Sequence, residues 1–152
     1  MRPLRVFVDT SVFGGMFDPE FEVDTRAFFT QVAAGRFALA VSRQVYEEIV
    51  PAPANVRELF GAMLPQMEFF NDSPAMRELV VAYLDKKVVG PSSRNDASHV
   101  AYATVHGCAG LVSWNFKHIV NEDKSLLFNL VNMERGYPQV FIASPKEVMS
   151  HA

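Results

Sequence analysis

The chain has 152 residues, 49% of them apolar and 20% charged, with a formal net charge of −3. That length buries a real core and fits one domain over residues 1–152, and the composition is that of a soluble globular protein. No segment is apolar for long enough to span a bilayer, and the negative balance argues against a protein that holds nucleic acid through bulk positive charge. A nuclease stays compatible with it, because a metal-binding carboxylate cluster itself adds negative charge.

The N-terminal run Met1-Arg2-Pro3-Leu4-Arg5 carries charge but lacks a long apolar stretch and a small-residue cleavage site. It reads as the approach to a first strand, not as a signal peptide, and a cytoplasmic location is expected. The apolar run Leu4–Val8 forms that strand and ends in Asp9-Thr10-Ser11. A carboxylate at the mouth of a buried strand needs compensation from a metal ion, a helix N-terminus or a proton.

A helix is expected over about Phe21–Ala34, then a strand over Phe37–Val41, then a second helix capped by Ser42. On that helix Val45, Tyr46, Ile49 and Val50 mark the apolar stripe, and Glu47 and Glu48 flank it about equally. Pro51-Ala52-Pro53 breaks the chain locally but is too short to separate domains. A strand over Met67–Phe70 precedes a helix opened by Asp72-Ser73-Pro74, with Met76, Leu79, Val80 and Tyr83 at helical spacing and Lys86 and Lys87 near its end.

The stretch Ser93 to Gly107 is the clearest helix, with Ser93 and Asp96 in capping-box spacing and an apolar stripe through Ala97, Val100, Ala101, Thr104, Val105 and Cys108. The lone Cys108 is expected to be a packed thiol in a reducing compartment. A strand over Leu111–Ser113, a helix over Glu122–Arg135 and a strand over Gln139–Ile142 complete the pattern. Strands alternating with helices imply a central, mainly parallel sheet of about five strands covered on both faces, an α/β/α sandwich. Ligands bind beyond the C-terminal ends of such strands, which places Asp9 and Ser113-Trp114-Asn115 in one crevice.

Asp9, Glu47 or Glu48, Asp96 and Asn115 can thus be aimed at one place. Crowded carboxylates repel, and the repulsion raises a pKa or recruits a cation. Oxygen ligands suit Mg²⁺ or Mn²⁺, which also bridge to phosphates.

The segments V-F-V-D-T-S-V-F-G-G, V-S-R-Q-V-Y-E-E-I, N-D-A-S-H-V-A-Y-A and G-L-V-S-W-N-F-K-H-I resemble, in order and over most of the chain, a PIN domain. PIN domains are metal-dependent ribonucleases and include the VapC-type toxins of toxin–antitoxin pairs. The resemblance implies Asp9 and Asp96 as principal ligands of Mg²⁺ or Mn²⁺, with Ser11 orienting Asp9 or a water. It also implies Glu48, by its distance from Ser42, as the acid on the second helix. The fourth position departs from the family: Asn115 stands where many members carry Asp, so a second metal site loses its charge. Lys117 and His118 follow Asn115 in the crevice and are candidates for substrate phosphate contact. RNA, a cognate antitoxin and a second copy of the chain are the implied partners, with no membrane among them.

Plainer readings accompany these. Asp9 and Asp96 also suit helix capping, Glu47 and Glu48 a solvated face, and His99 and His106 a polar helix face on the Asp96 side. Trp114 suits base stacking or packing under a loop. Phe13, Met16 and Phe17 suit a core more than a partner patch. Two other functions compete with the ribonuclease: a PIN-fold module that binds RNA or protein without cutting, and a receiver-like phosphoacceptor domain.

Overall fold

The computed structural model describes residues 2–151; Met1, where the charged N-terminal run begins, and Ala152 lie outside the described residues. In chain order the elements are β1 (Leu4–Val8), α1 (Thr10–Gly15), α2 (Glu22–Ala33), β2 (Phe37–Ser42), α3 (Arg43–Ile49), α4 (Ala54–Met63), β3 (Glu68–Phe70) and α5 (Pro74–Asp85). They continue with α6 (Arg94–Val105), β4 (Gly110–Val112), α7 (Glu122–Glu134), β5 (Phe141–Ala143) and α8 (Pro145–His151).

All five strands run parallel in the order β3-β2-β1-β4-β5. The chain winds outward from β1 through β2 to β3, then returns across it to β4 and β5. Right-handed crossovers in these two directions put helices on opposite faces, giving the expected three-layer sandwich. On one face α6 lies against β1 and β4 and between α5 and the sheet centre; on the other α2 touches β2, α1 and α8. β1 is central and its Val6, Phe7 and Val8 are fully buried. Phe7 stacks with Phe70 and Tyr102, and Phe28 tilts against Phe37. Each such side chain contributes about 1.5–3 kcal/mol by leaving water.

A buried polar network ties the α6 face together. Tyr83 donates to Asn132 Oδ1, Asn132 Nδ2 donates to Thr104 Oγ1 at 3.2 Å, and the Asn129 amide exchanges two hydrogen bonds with the Val140 backbone at 2.9 and 2.8 Å. Among the described residues no helix is long and apolar enough to cross a membrane.

Several sequence expectations change here. On α3 only Val45 and Ile49 of the anticipated stripe are buried; Tyr46 and Val50 are 46% and 56% exposed, because a two-turn helix at the sheet margin has only a narrow seam to bury. Ser93 precedes α6 but makes no side-chain cap, since a 3-10 turn over Pro91–Ser93 leads into the helix. Its hydroxyl lies 3.4 Å from His118 Nδ1 instead. The short helices α1, α4 and α8 were not anticipated. Ser42 and Ser73 do cap α3 and α5 by accepting from Val45 N and Met76 N.

Cys108 is buried, and burial pushes its thiol up to about 11. Roughly one thiol in a thousand is ionised at pH 8 on that basis, and only the thiolate attacks. Alkylation by iodoacetamide at pH 8 is expected to be negligible in the folded protein and rapid in denaturant, as intact-mass measurement would report.

Candidate active site

The order β3-β2-β1-β4-β5 reverses between β1 and β4, and there the crevice of a parallel sheet opens. Val8 pairs with Val112, so the next residues on each strand, Asp9 and Ser113, stand side by side. Asp9 is the N-cap of α1: its Oδ1 accepts from Ser11 N at 3.1 Å and Ser11 Oγ at 2.6 Å. Its Oδ2 accepts from Ser113 Oγ at 2.6 Å. Both hydroxyls relay backbone donors toward the carboxylate, because Trp114 N donates to Ser11 Oγ and Asn115 N to Ser113 Oγ, each at 2.9 Å. Capping and site-building are one act for Asp9.

Despite these donors, burial pushes the Asp9 carboxyl above its ordinary value, with Glu48's charge adding to the push and His99 and the two hydroxyls opposing it. Asp96, in the first turn of α6, is half-buried and likewise raised by burial, with Glu48 adding and His118 and His99 opposing. Glu48 differs. Burial acts to raise it, but His99, Thr10 and Gln44 overcome burial and pull it down to about 2. Glu47 turns to solvent and pairs with Arg43 at 3.3 Å, so of the two glutamates on α3 it is Glu48 that faces the crevice.

Asn115 is oriented by its loop. Its Oδ1 accepts from His118 N at 3.0 Å, and a backbone N–H only donates, so the amide oxygen is fixed there. The NH₂ therefore points at Asp96 Oδ1, 3.2 Å away. Asn115 thus presents an amide donor to Asp96 while its oxygen is engaged within its own loop.

Two solved structures share this architecture. VapBC2 from Rickettsia felis, bound to a DNA fragment from its promoter, matches with a TM-score of 0.57 over 92% of this chain and 98% of that chain, at 14% identity. A toxin–antitoxin complex from Klebsiella pneumoniae matches with a TM-score of 0.58 over 78% of this chain and 93% of that chain, at 21% identity. This chain has the VapC-like PIN fold. No protein-family model matches the sequence, and no curated protein does.

Within the PIN fold, Asp9, Glu48, Asp96 and Asn115 lie around one crevice, linked by the contacts above. Lys117 is exposed and His118 half-buried on the loop after Asn115. His106, expected on the Asp96 side, instead stacks on Phe70 at 3.9 Å, far along α6. Trp114 packs: it is 8% exposed, stacks on Phe21 at 4.3 Å and donates to Thr25 Oγ1 at 2.9 Å, so base stacking is closed to it. Phe13 is core, whereas Phe17 is 38% exposed.

Three residues that the sequence places near the crevice, without assigning their contacts, contribute to it. Thr10 donates to Glu48 Oε1 at 2.5 Å, Ser113 donates to Asp9, and His99 Nε2 lies 3.2 Å from Glu48 Oε1. The adjacency of Thr10 and Ser113 to strand ends was the available signal. His99 had only its helical offset from Asp96.

Among the described residues no three His, Cys, Asp or Glu side chains converge as a ready metal cage. The donor chemistry nevertheless fits a hard divalent ion. Two carboxylates, Asp9 and Asp96, are held above their ordinary values by burial and by the charge of Glu48, a strain that added positive charge relieves. Mg²⁺ takes one or two carboxylates and keeps several waters, so a full protein cage is not required.

Proposed function

We propose that this chain is a Mg²⁺- or Mn²⁺-dependent endoribonuclease that cleaves single-stranded or structured RNA as the toxin of a toxin–antitoxin pair. The observation that carries the reading is that Asp9, Glu48 and Asp96, from three separate elements, border one crevice at the switch point of a PIN-fold sheet, the charge of Glu48 acting on both aspartates. A bound divalent ion supplies charge stabilisation at the phosphodiester and lowers the pKa of water. Asp9 and Asp96 would hold it, Asp9 fixed by Ser11 and Ser113 and Asp96 by the Asn115 amide.

Glu48 stays ionised through neutral pH, because its carboxyl lies near 2. A group that acidic is a poor proton acceptor, so its part is to orient a water by accepting a hydrogen bond. Beside it runs a groove of about 580 Å³ lined in part by Arg43, Arg77 and Arg94. Arg43 and Arg77 pair with Glu47 and Asp72, while Arg94 forms no ion pair among the described residues and is the cation best placed for a substrate phosphate. Lys117 and His118 would approach from the opposite loop. An antitoxin segment competing for this groove, and a second copy of the chain, are the protein partners the reading implies.

The test is cleavage of a labelled single-stranded RNA with Mn²⁺, with EDTA and with Asp96→Asn. Loss of cleavage in both controls is expected; cleavage that survives Asp96→Asn would move the chemistry elsewhere.

The reading of a non-catalytic PIN-fold module has one observation in its favour, the Asn115 donor in place of an acid. RNA binding without cleavage under any divalent ion would establish it. A receiver-like domain has the strand order second-first-third-fourth-fifth, which differs from the order β3-β2-β1-β4-β5 found here.

Asn115→Asp sets a second carboxylate against Asp96 in place of a hydrogen bond. Its metal-free melting temperature is expected to fall and its Mn²⁺ affinity to rise about tenfold, a charge-assisted gain of ~1.4 kcal/mol. Scanning calorimetry reads the first and calorimetric titration the second, and an unchanged affinity would place Asn115 away from the ion.

A further inference from the structure

Glu48 is gripped from three elements. Thr10 Oγ1 on α1 and His99 Nε2 on α6 both reach Glu48 Oε1, at 2.5 and 3.2 Å, and Gln44 Nε2 reaches Oε2 at 3.0 Å. Gln44 Nε2 also donates to Asn95 O at 3.0 Å, tying α3 to the backbone just before Asp96. With two donors on Oε1, both of its lone pairs are engaged. Bidentate binding of a cation by Glu48 is therefore closed, and one direction on Oε2 remains open.

His99 is the interior member of this grip. It is 3% exposed and tilted over Phe7, with ring centroids 5.9 Å apart. Its Nδ1 is buried and has no hydrogen-bond partner among the described residues. An orphaned buried polar atom is destabilising, so packing alone does not account for a histidine at this place. The carboxylate only accepts, so the nitrogen that faces it carries the hydrogen. That holds for the neutral ring and for the charged one alike. The other neutral tautomer would set a lone pair against Glu48 and bury an unsatisfied Nδ1–H.

We infer that His99 is a positioning residue whose Nε2–H fixes Glu48, so that Glu48 orients water or substrate from one place and does not ligate the metal directly. The inference rests on the ribonuclease reading, and it predicts a division of effects. Removing His99 frees Glu48 to swing, which harms the chemical step and leaves the Asp9–Asp96 pair as it was.

The experiment compares the wild-type chain with His99→Leu and His99→Gln, the latter carrying an amide donor of similar reach. Three readouts are taken: long-range proton–nitrogen NMR of the histidine rings, Mn²⁺ binding by EPR, and steady-state RNA cleavage over a range of RNA concentrations. The expected results are a protonated Nε2 at His99 and a kcat about 10–100-fold lower in His99→Leu. KM for RNA and Kd for Mn²⁺ stay within about threefold, and His99→Gln recovers most of the loss. A bare Nε2, an unchanged kcat in His99→Leu, or a Mn²⁺ affinity that falls in step with kcat would overturn the inference.

The NMR arm needs no variant at position 99 to fold. With Glu48→Ala as its second sample, the His99 Nε2 signal is expected to shift, and an unmoved signal overturns the grip. Should the wild type cleave no RNA, the ribonuclease reading fails on its own, while the NMR and Mn²⁺ results still decide whether His99 holds Glu48 apart from the ion.

Discussion

Asp9→Asn is expected to abolish RNA cleavage and, in metal-free buffer, to raise the melting temperature. Asp9 is 4% exposed, and burial is the largest influence on its carboxyl, pushing it above the ordinary 3.8. A carboxyl raised on folding costs stability wherever the unfolded chain would ionise it, so the cost is present above pH 3.8 and vanishes below it. Asparagine carries no charge, still accepts from one serine hydroxyl, and lets the other rotate to accept from its amide. A gain of ~1 kcal/mol, or about 2–4 °C in a chain of this size, is expected at neutral pH.

Mn²⁺ should then reverse the ranking. An ion that binds only the folded wild type stabilises it by about 2.7 kcal/mol at a hundredfold excess over Kd, while the variant responds little. Scanning calorimetry with EDTA and with Mn²⁺ reads both arms. A variant that melts lower in EDTA contradicts the burial account, and one that gains from Mn²⁺ as much as the wild type removes Asp9 from the ligands.

Gly15→Ala acts through packing. A Cβ at Gly15 would meet Thr25 Oγ1 and Trp114 Nε1, each at 2.7 Å, so it would force apart the hydrogen bond between them. Trp114 cannot give way easily, because Phe21 stacks on it and its backbone N–H is engaged with Ser11. Overpacking of this kind costs about 1–3 kcal/mol, a fall of up to about 10 °C here. The loop that carries Ser113 and Asn115 would move with the indole, so cleavage should fall as well. Trp114 is the only tryptophan, so a red shift of its emission reports the displacement directly. Gly14→Ala is the control, since among the described residues nothing lies within 4 Å of a Cβ there and helix propensity alone favours alanine; a similar loss in both variants would overturn the packing account.

The sheet was legible because its strands are short apolar runs between helical patterns, and parallel topology then dictates where a crevice opens. Asp9 and Asp96 were legible for the same reason, each standing where an apolar run or helix begins or ends. Periodicity could not separate Glu47 from Glu48, because the choice depends on how α3 approaches α6. The exposure of Tyr46 and Val50 follows from the same approach. The α1 helix hid behind Gly14-Gly15, poor helix formers, of which Gly15 is required by its close approach to Trp114. The Asn115 amide was set by a turn that brings His118 N back on it, and the His99 contact by tertiary packing across 51 residues of chain.

The hydrogen bond from Ser113 to Asp9 spans 104 residues. Synthesis runs from the N-terminus, so β1, β2 and β3 leave the ribosome long before β4 exists to dock beside β1. Until then Asp9 lacks Ser113, and the loop that fixes Asp96 through Asn115 is missing. The candidate site is therefore complete only once β4 and the loop after it have docked: fragments that end before Ser113 are expected to lack the proposed nuclease activity.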